Sequence, residues 1–329
     1  MSHRKDTDYL AISARIRAME NRLLTRERLD RIIEARDDQE ARKVLVECGY
    51  PDVAGAGLEQ VLAQVREETV KELGSALPGE PGLELFRLKY DYHNAKTILK
   101  AQAMGVDGAR LLLKGGRYDP AALLAQWQQE QLSGCSDSFR RAMEQACALL
   151  KETKDPQQAD LLLDRAMYAE MGELAKKQKS FYLEGYVRLL VDAANLRTAV
   201  RVCRMGKEDE FLRSVLLEGG NVSVQTIAGA RGEGIAEVFQ SGALAQAAKL
   251  GAGLLKPGSG ALTAFEKACD DAVTKYLASS RMVPFGEQVV VGYLYAKEAE
   301  LTAVRTIFAG RAAGLDGDTI RRRLRETYC

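Results

Sequence analysis

Hydrophobic positions recur with helical spacing along nearly the whole chain. Tyr9, Ile12, Ile16, Met19 and Leu23 step by 3, 4, 3 and 4 residues, which sets all five on one face of an α-helix and leaves the charged residues around the rest. The punctuation agrees with the period. Asp37-x-x-Glu40 opens a later helix, the Asp accepting from free backbone N–H groups and the Glu reaching back, and that helix closes at Gly49 before Pro51. Asp119-Pro120 and Asp155-Pro156 are pairs of N-cap and first helical residue, because proline fixes φ for the first turn and lacks only a donor that has no partner there. Strand signals are scarce: NVSV at 221–224 and QVVVGY at 288–293 are short, and the Asp107-Gly108 and Asp316-Gly317 pairs do not join two alternating runs. The chain reads as all-α.

One segment occurs three times. Residues 86–105 (FRLKYDYHNAKTILKAQAMG), 187–206 (VRLLVDAANLRTAVRVCRMG) and 291–310 (VGYLYAKEAELTAVRTIFAG) align without gaps at offsets of 101 and 104. Threonine recurs at Thr97, Thr198 and Thr302, a basic residue at Lys100, Arg201 and Arg305, and a closing glycine at Gly105, Gly206 and Gly310. The first two copies share Asp-x-x-Asn-x-[Lys/Arg]-Thr, from Asp91 and Asn94 and from Asp192 and Asn195. Beyond the helix, Gly115-Gly116 and Gly219-Gly220 are each followed three residues later by a capping Asp119 or Ser223. A period near 100 is far longer than the 20 to 50 residues of a solenoid repeat, so each unit should be a small helical bundle. The expected units are residues 1–117, 118–222 and 223–329, arranged about a pseudo-threefold axis.

Composition narrows the function. The 47 basic and 46 acidic residues cancel to +1, which gives no field to draw in nucleic acid or an anionic membrane. Six cysteines, at 48, 135, 147, 203, 269 and 329, form no C-x-x-C pair, and the only histidines are His3 and His93, so neither a zinc site nor a disulfide framework is expected. Asp6, Asp8 and Arg15 fall where a signal peptide needs an apolar run, and no 18-residue apolar stretch occurs. The cysteines read as small core residues of a protein in a reducing compartment.

The chemical signals are weak. No G-x-x-x-x-G-K-[ST] occurs, so nucleotide hydrolysis is not expected. Asp37-Asp38-Gln39-Glu40-Ala41 departs from a metal-binding DDxxD at its fifth position, and His93 has Ala194 and Glu298 at the aligned places, which argues against an acid/base role. No catalytic, cofactor or metal residue is assigned. The Asp-x-x-Asn pairs put a carboxylate and an amide one turn apart on a helix face, where either can bond the backbone end of a neighbouring helix. Asp91, Asn94, Asp192 and Asn195, with Thr97, Thr198 and Thr302, are read as an inter-helix packing motif. Residues 226–260 carry eight glycines and five charges and read as a loose junction in preference to a partner surface. Arg321, Arg322, Arg323 and Arg325, on a short helix capped by Asp318, form a solvated face that is also a candidate partner surface.

The opening YLAISARIRAMENRLL, the later ECGYPD, the two D-x-x-N-x-[KR]-T helices and the final VVVGYLYAKEAELTAVRTIFAGRAAGLDGDTIRRRLRETY together resemble the C subunits of bacterial and archaeal V-type (A-type) ATPases, whose eukaryotic relative is the V-type d subunit. The resemblance runs from residue 8 to residue 328, and the order of its motifs is more specific than any one of them. It implies a funnel-shaped body of three helical bundles without catalytic activity or cofactor. That body would sit on the cytoplasmic side of the membrane, peripheral to it and without a span. It would join the central shaft subunits, of D and F type, to the proteolipid ring, coupling ATP to proton or sodium transport. The third copy has Ala296 and Ala299 at the aspartate and asparagine positions, so the D-x-x-N role is carried only to the first two. Two other readings stand beside this one: a general helical-repeat scaffold for protein interaction, and an all-α enzyme with an unrecognised site.

Overall fold

Each of the three aligned segments belongs to a long helix, with Gly105 and Gly206 just past the ends of the first two and Gly310 within the third. The computed structural model describes residues 5–52, 57–77, 79–230, 232, 234–256 and 258–328; His3 and Cys329 lie outside the described residues. Its helices in chain order are α1 (Leu10–Glu20), α2 (Arg26–Glu34), α3 (Asp38–Glu47), α4 (Leu58–Ala76) and α5 (Pro81–Met104), followed by α6 (Pro120–Gln128), α7 (Asp137–Thr153), α8 (Pro156–Gln178) and α9 (Phe181–Arg204). The remainder holds α10 (Asp209–Val215), α11 (Val224–Gly229), α12 (Gly234–Val238), α13 (Ala245–Gly253), α14 (Thr263–Ala278), α15 (Glu287–Ala312) and α16 (Gly317–Arg323). No strand occurs among the described residues, so the fold is all-α.

Local chemistry sets most of the helix ends. Asp37 Oδ1 accepts from Glu40 N at 2.8 Å while Glu40 reaches back to Arg36 N, and Asp119, Asp155 and Ser223 each accept from a backbone N–H of the first turn that has no partner within the helix. The cap of α16 is Asp316, which accepts from Thr319 N at 2.8 Å, and not Asp318, which stands inside the helix and pairs with Arg321. The stripe of α1 is buried at Tyr9, Ile12 and Ile16, with Leu23 beyond the helix end and Met19 half-buried.

Both short valine runs are free of strand. Residues 221–224 lead into α11, and 288–293 lie in the first turns of α15, where Val289, Val290 and Val291 are all fully buried. A helix enclosed on every side is apolar all round, so its sequence loses the amphipathic period and mimics a strand. The described residues of 226–260 are likewise packed and not loose. They form α11 to α13, with Ile227, Ile235, Phe239, Ala247 and Ala248 buried. Small residues here permit close approach: a Cβ on Gly251 would stand 2.8 Å from Val200 and 2.9 Å from Phe265.

The long helices and their neighbours close on one another. Each of α5, α9 and α15 packs against the helix before it, α4, α8 and α14 respectively, and each also packs against one of the other two: α5 on α8, α9 on α14, and α15 back on α4. Near their N-terminal ends the long helices converge, with Gly82 abutting Val291 and Leu183, the Phe86 and Tyr186 rings stacked at 5.6 Å, and Ser180 bonded to Glu287. The apolar interior falls into two cores. The larger takes in α1, the end of α4, and the chain from α5 to the first half of α15. The smaller joins residues 24–65 to residues 301–324, including Leu29, Ile32, Val44, Tyr50, Val304, Ile307, Phe308 and Ile320.

Candidate functional site

The repeated polar residues form two matching clamps. On α5, Asp91 Oδ1 accepts from Arg117 N at 2.9 Å and Tyr118 N at 3.3 Å, and Oδ2 accepts from Arg117 Nε at 2.7 Å. On α9, Asp192 accepts from Asn221 N at 3.1 Å, Asn221 Nδ2 at 2.8 Å and Val222 N at 3.2 Å. One turn on, Asn94 exchanges two bonds of 2.8 Å with the backbone of Leu113, and Asn195 does the same with Leu217. All four side chains are buried; the α5 pair holds the segment between α5 and α6, and the α9 pair holds the loop between α10 and α11.

The Gly-Gly pairs make these clamps possible. Gly115 and Gly219 take φ of +111° and +98°, a region other residues seldom enter, and the second glycine of each pair lies against the carboxylate. A Cβ on Gly116 or Gly220 would overlap Oδ1 of Asp91 or Asp192. The clamps differ in charge. Arg117 spans Asp91 and Glu170 at 2.7 Å each and is 12% exposed, whereas Asp192 faces only the neutral Asn221 and two amides. Burial pushes Asp91 up to about 6 against the opposing pull of Arg117, and it also raises Asp192.

In α15 another acid does related work, one that sequence alignment does not reveal. Ala296 and Ala299 leave the aligned places apolar, and buried Glu300 accepts from Leu24 N at 2.6 Å, Tyr50 Oη at 2.7 Å and Lys297 Nζ at 2.6 Å. Leu24 immediately precedes the N-cap Thr25 of α2, as Tyr118 precedes Asp119 of α6 and Val222 precedes Ser223 of α11. The three acids thus hold the entries of α6, α11 and α2.

The recurring basic residues bind the seams between long helices and their neighbours. Lys100 pairs with Asp160 at 2.5 Å, Arg201 with Glu266 at 2.5 Å, and Arg305 with Glu59 through two bonds of 2.7 Å. Lys96 with Asp164 and Arg197 with Asp270 add a second rung to the first two seams. Each partly exposed pair contributes no more than about 1 kcal/mol, so their effect is to fix register. The threonines turn instead onto their own helices, Thr97 to His93 O and Thr302 to Glu298 O, and Thr198 is half-buried. His93 is exposed, with Nε2 3.4 Å from Leu111 O. Cys269 is buried, and Cys48, Cys135, Cys147 and Cys203 are half-buried free thiols.

A cleft of about 650 Å³ opens between the long helices beyond the point where they converge. Leu85, Phe86 and Lys89 of α5, Tyr186, Leu190 and Arg197 of α9, and Tyr295, Ala299, Thr302 and Thr306 of α15 line it, together with Asp270 and the tail 323–328. The arginine run is therefore divided. Arg321 is bound to Asp30 and Glu34 of α2, Arg325 pairs with Asp270 at 2.6 Å, and Arg322 and Arg323 are exposed, with Arg323 at the cleft. Among the described residues no group of His, Cys, Asp and Glu is placed to hold a metal, and no helix is long and apolar enough to cross a membrane.

Glu298, 17% exposed on the cleft wall, faces Lys89 at 2.9 Å, Arg66 at 3.3 Å and the Tyr90 hydroxyl. Burial alone would raise its carboxyl, but Lys89, Arg66 and Tyr90 outweigh burial and hold it below the ordinary range. A depressed acid contributes stability that is present above its unfolded value near 4.5 and is lost as pH falls through the folded value. Glu298→Gln should lower stability at pH 7 by about 1–3 kcal/mol. It should also flatten the acid limb of a melting-temperature profile below about pH 5, which thermal melts across pH will measure.

Comparison with known proteins gives the same relatives over nearly the full length. The chain is 20% identical to the C subunit of the V-type sodium ATPase of Enterococcus hirae over 326 residues, covering 98% of this chain and 99% of that one. It is 25% identical to the C subunit of the A-type ATP synthase of Methanococcoides burtonii, over 97% and 94% of the two chains, and 25% identical to the C subunit of the V-type ATP synthase of Thermus thermophilus, over 93% and 94%. The family described as ATP synthase (C/AC39) subunit matches residues 12–323, a span that holds both repeated clamps and all three long helices, and the chain belongs to this family.

Proposed function

We propose that this chain is a non-catalytic subunit of a rotary V/A-type ATPase, joining the central shaft of the soluble head to the proteolipid ring. In this reading residues 1–117, 118–222 and 223–329 are three helical units of a funnel. The D- and F-type shaft subunits sit in its concave side, and its wide face meets the ring on the cytoplasmic side of the membrane. Proton or sodium transport is thereby coupled to ATP. The observation that carries the reading is the cleft among α5, α9 and α15, on a chain whose relatives are named as ATPase subunits. Packed clamps and charged seams suit a part that transmits torque, because close-packed interiors pass strain on without yielding. Asp91, Asn94, Asp192 and Asn195 keep the body rigid, and Arg322 and Arg323 are available to an acidic partner.

Co-purification tests it. The chain should come out of detergent-treated native membranes together with proteolipid and shaft subunits, which a free scaffold would not do. Thr302 lines the cleft and is exposed, so Thr302→Trp should fold normally yet weaken shaft binding by about 1–3 kcal/mol through overfilling. Retention of shaft subunits at full yield would place their docking surface elsewhere.

A further inference from the structure

A second concavity, of about 720 Å³, lies away from the cleft, where the C-terminal ends of α5 and α7 meet the start of α8. Its floor is apolar, from Leu99, Ala103, Met104 and Leu150, and Met104 is 74% exposed. Lys151 and Lys154 line it as well, and neither makes an ion pair among the described residues. The third lysine there, Lys100, is already taken by Asp160.

The other two seams are covered by the chain itself. Between α13 and α14, Leu254, Leu255 and Leu262 pack on the larger core, and Arg204 at the end of α9 donates to Gly260 O at 3.2 Å. Between α3 and α4, Tyr50 is buried in the smaller core with Phe308 of α15. Between α7 and α8 there are only Lys154 and Asp155, with Lys154 turning the chain at φ 58°. Ala103 also occupies the place in the first copy that Phe308 fills in the third. This seam lacks both the covering segment and the large side chain.

We propose that the groove binds a short segment of a partner protein carrying two or three large apolar side chains beside acidic ones. The apolar residues would take the role that Leu254, Leu255 and Leu262 have at the α9 seam, and the acids would answer Lys151 and Lys154. The proposal rests on this groove alone and is independent of the cleft.

The test uses the full chain labelled with ¹³C at its methionine methyls and three probes: the peptide ELLEALE, its basic counterpart KLLKALK, and oleate. ELLEALE should move the Met104 methyl resonance and bind at least about tenfold tighter than KLLKALK, as two rim charges predict. Lys151→Glu combined with Lys154→Glu should reverse that preference. Ala103→Trp should abolish binding without lowering the melting temperature, and if it does destabilise the chain, the charge reversal still decides. A Met104 signal unmoved by ELLEALE, equal binding of the two peptides, or a response to oleate alone would overturn the proposal.

Discussion

Removing this chain from native membranes should leave the soluble head hydrolysing ATP while ATP-driven ion transport stops. The expectation follows from the proposed role of a linking piece that joins two engines and runs neither. An ion crossing the membrane exchanges about 2.3 kcal/mol per charge per 100 mV, and that energy reaches the head only through a continuous mechanical path. Without the connecting piece each engine turns alone. Adding the purified protein back to stripped membranes and heads should restore transport, and a His93→Ala protein should restore it equally, since His93 is exposed and its ring makes long contacts to Leu111 O at 3.4 Å and Thr97 Oγ1 at 3.5 Å. Two simultaneous measurements decide it, phosphate release by the head and ion uptake into vesicles. Transport that persists in the depleted membranes, or ATP turnover by the purified chain alone, contradicts the coupling role.

Asp91→Ala should be the most damaging single substitution among the clamp residues, costing about 3–5 kcal/mol at neutral pH. It strips a largely covered guanidinium of one of its two carboxylates and leaves the amides of Arg117 and Tyr118 without their acceptor. Asp192→Ala removes the same backbone acceptor but strands no charge, so its cost should be about 1–3 kcal/mol. Gly116→Ala should approach the Asp91→Ala loss, because the added Cβ would push the carboxylate off both amides. Denaturant melts of the isolated protein measure all three. Equal losses for Asp91→Ala and Asp192→Ala would mean that Arg117 is held well enough by Glu170 alone. Unchanged melts with weaker partner binding would move these residues from the fold to an interface.

Where physics is local, the sequence was readable. The stripe from Tyr9 to Leu23, the caps at Asp37, Asp119, Asp155 and Ser223, and the three long helices depend on the i, i+3 and i+4 geometry of one segment and on N–H groups within a turn. The Asp-x-x-Asn and Gly-Gly matches were equally visible, because each long helix and the loop it clamps lie 19 to 30 residues apart and recur together.

Tertiary structure decided the rest. Nothing near Glu300 announces that it will hold the amide of Leu24, 276 residues upstream, or that residues 24–65 will share a core with residues 301–324. The arginine run looked like one solvated face until α2 supplied Asp30 and Glu34, and α14 supplied Asp270, from opposite sides. Val289 to Val291 carry a strand-like signal inside a helix, and the glycine-rich stretch from 226 was misleading, for the same reason. Burial on all sides erases the alternation of apolar and polar positions, and close packing favours small residues that a local reading takes for a loop. A chain encodes its helices through neighbours in sequence, whereas the pairing of those helices depends on shape and charge meeting across distances that leave no periodic trace.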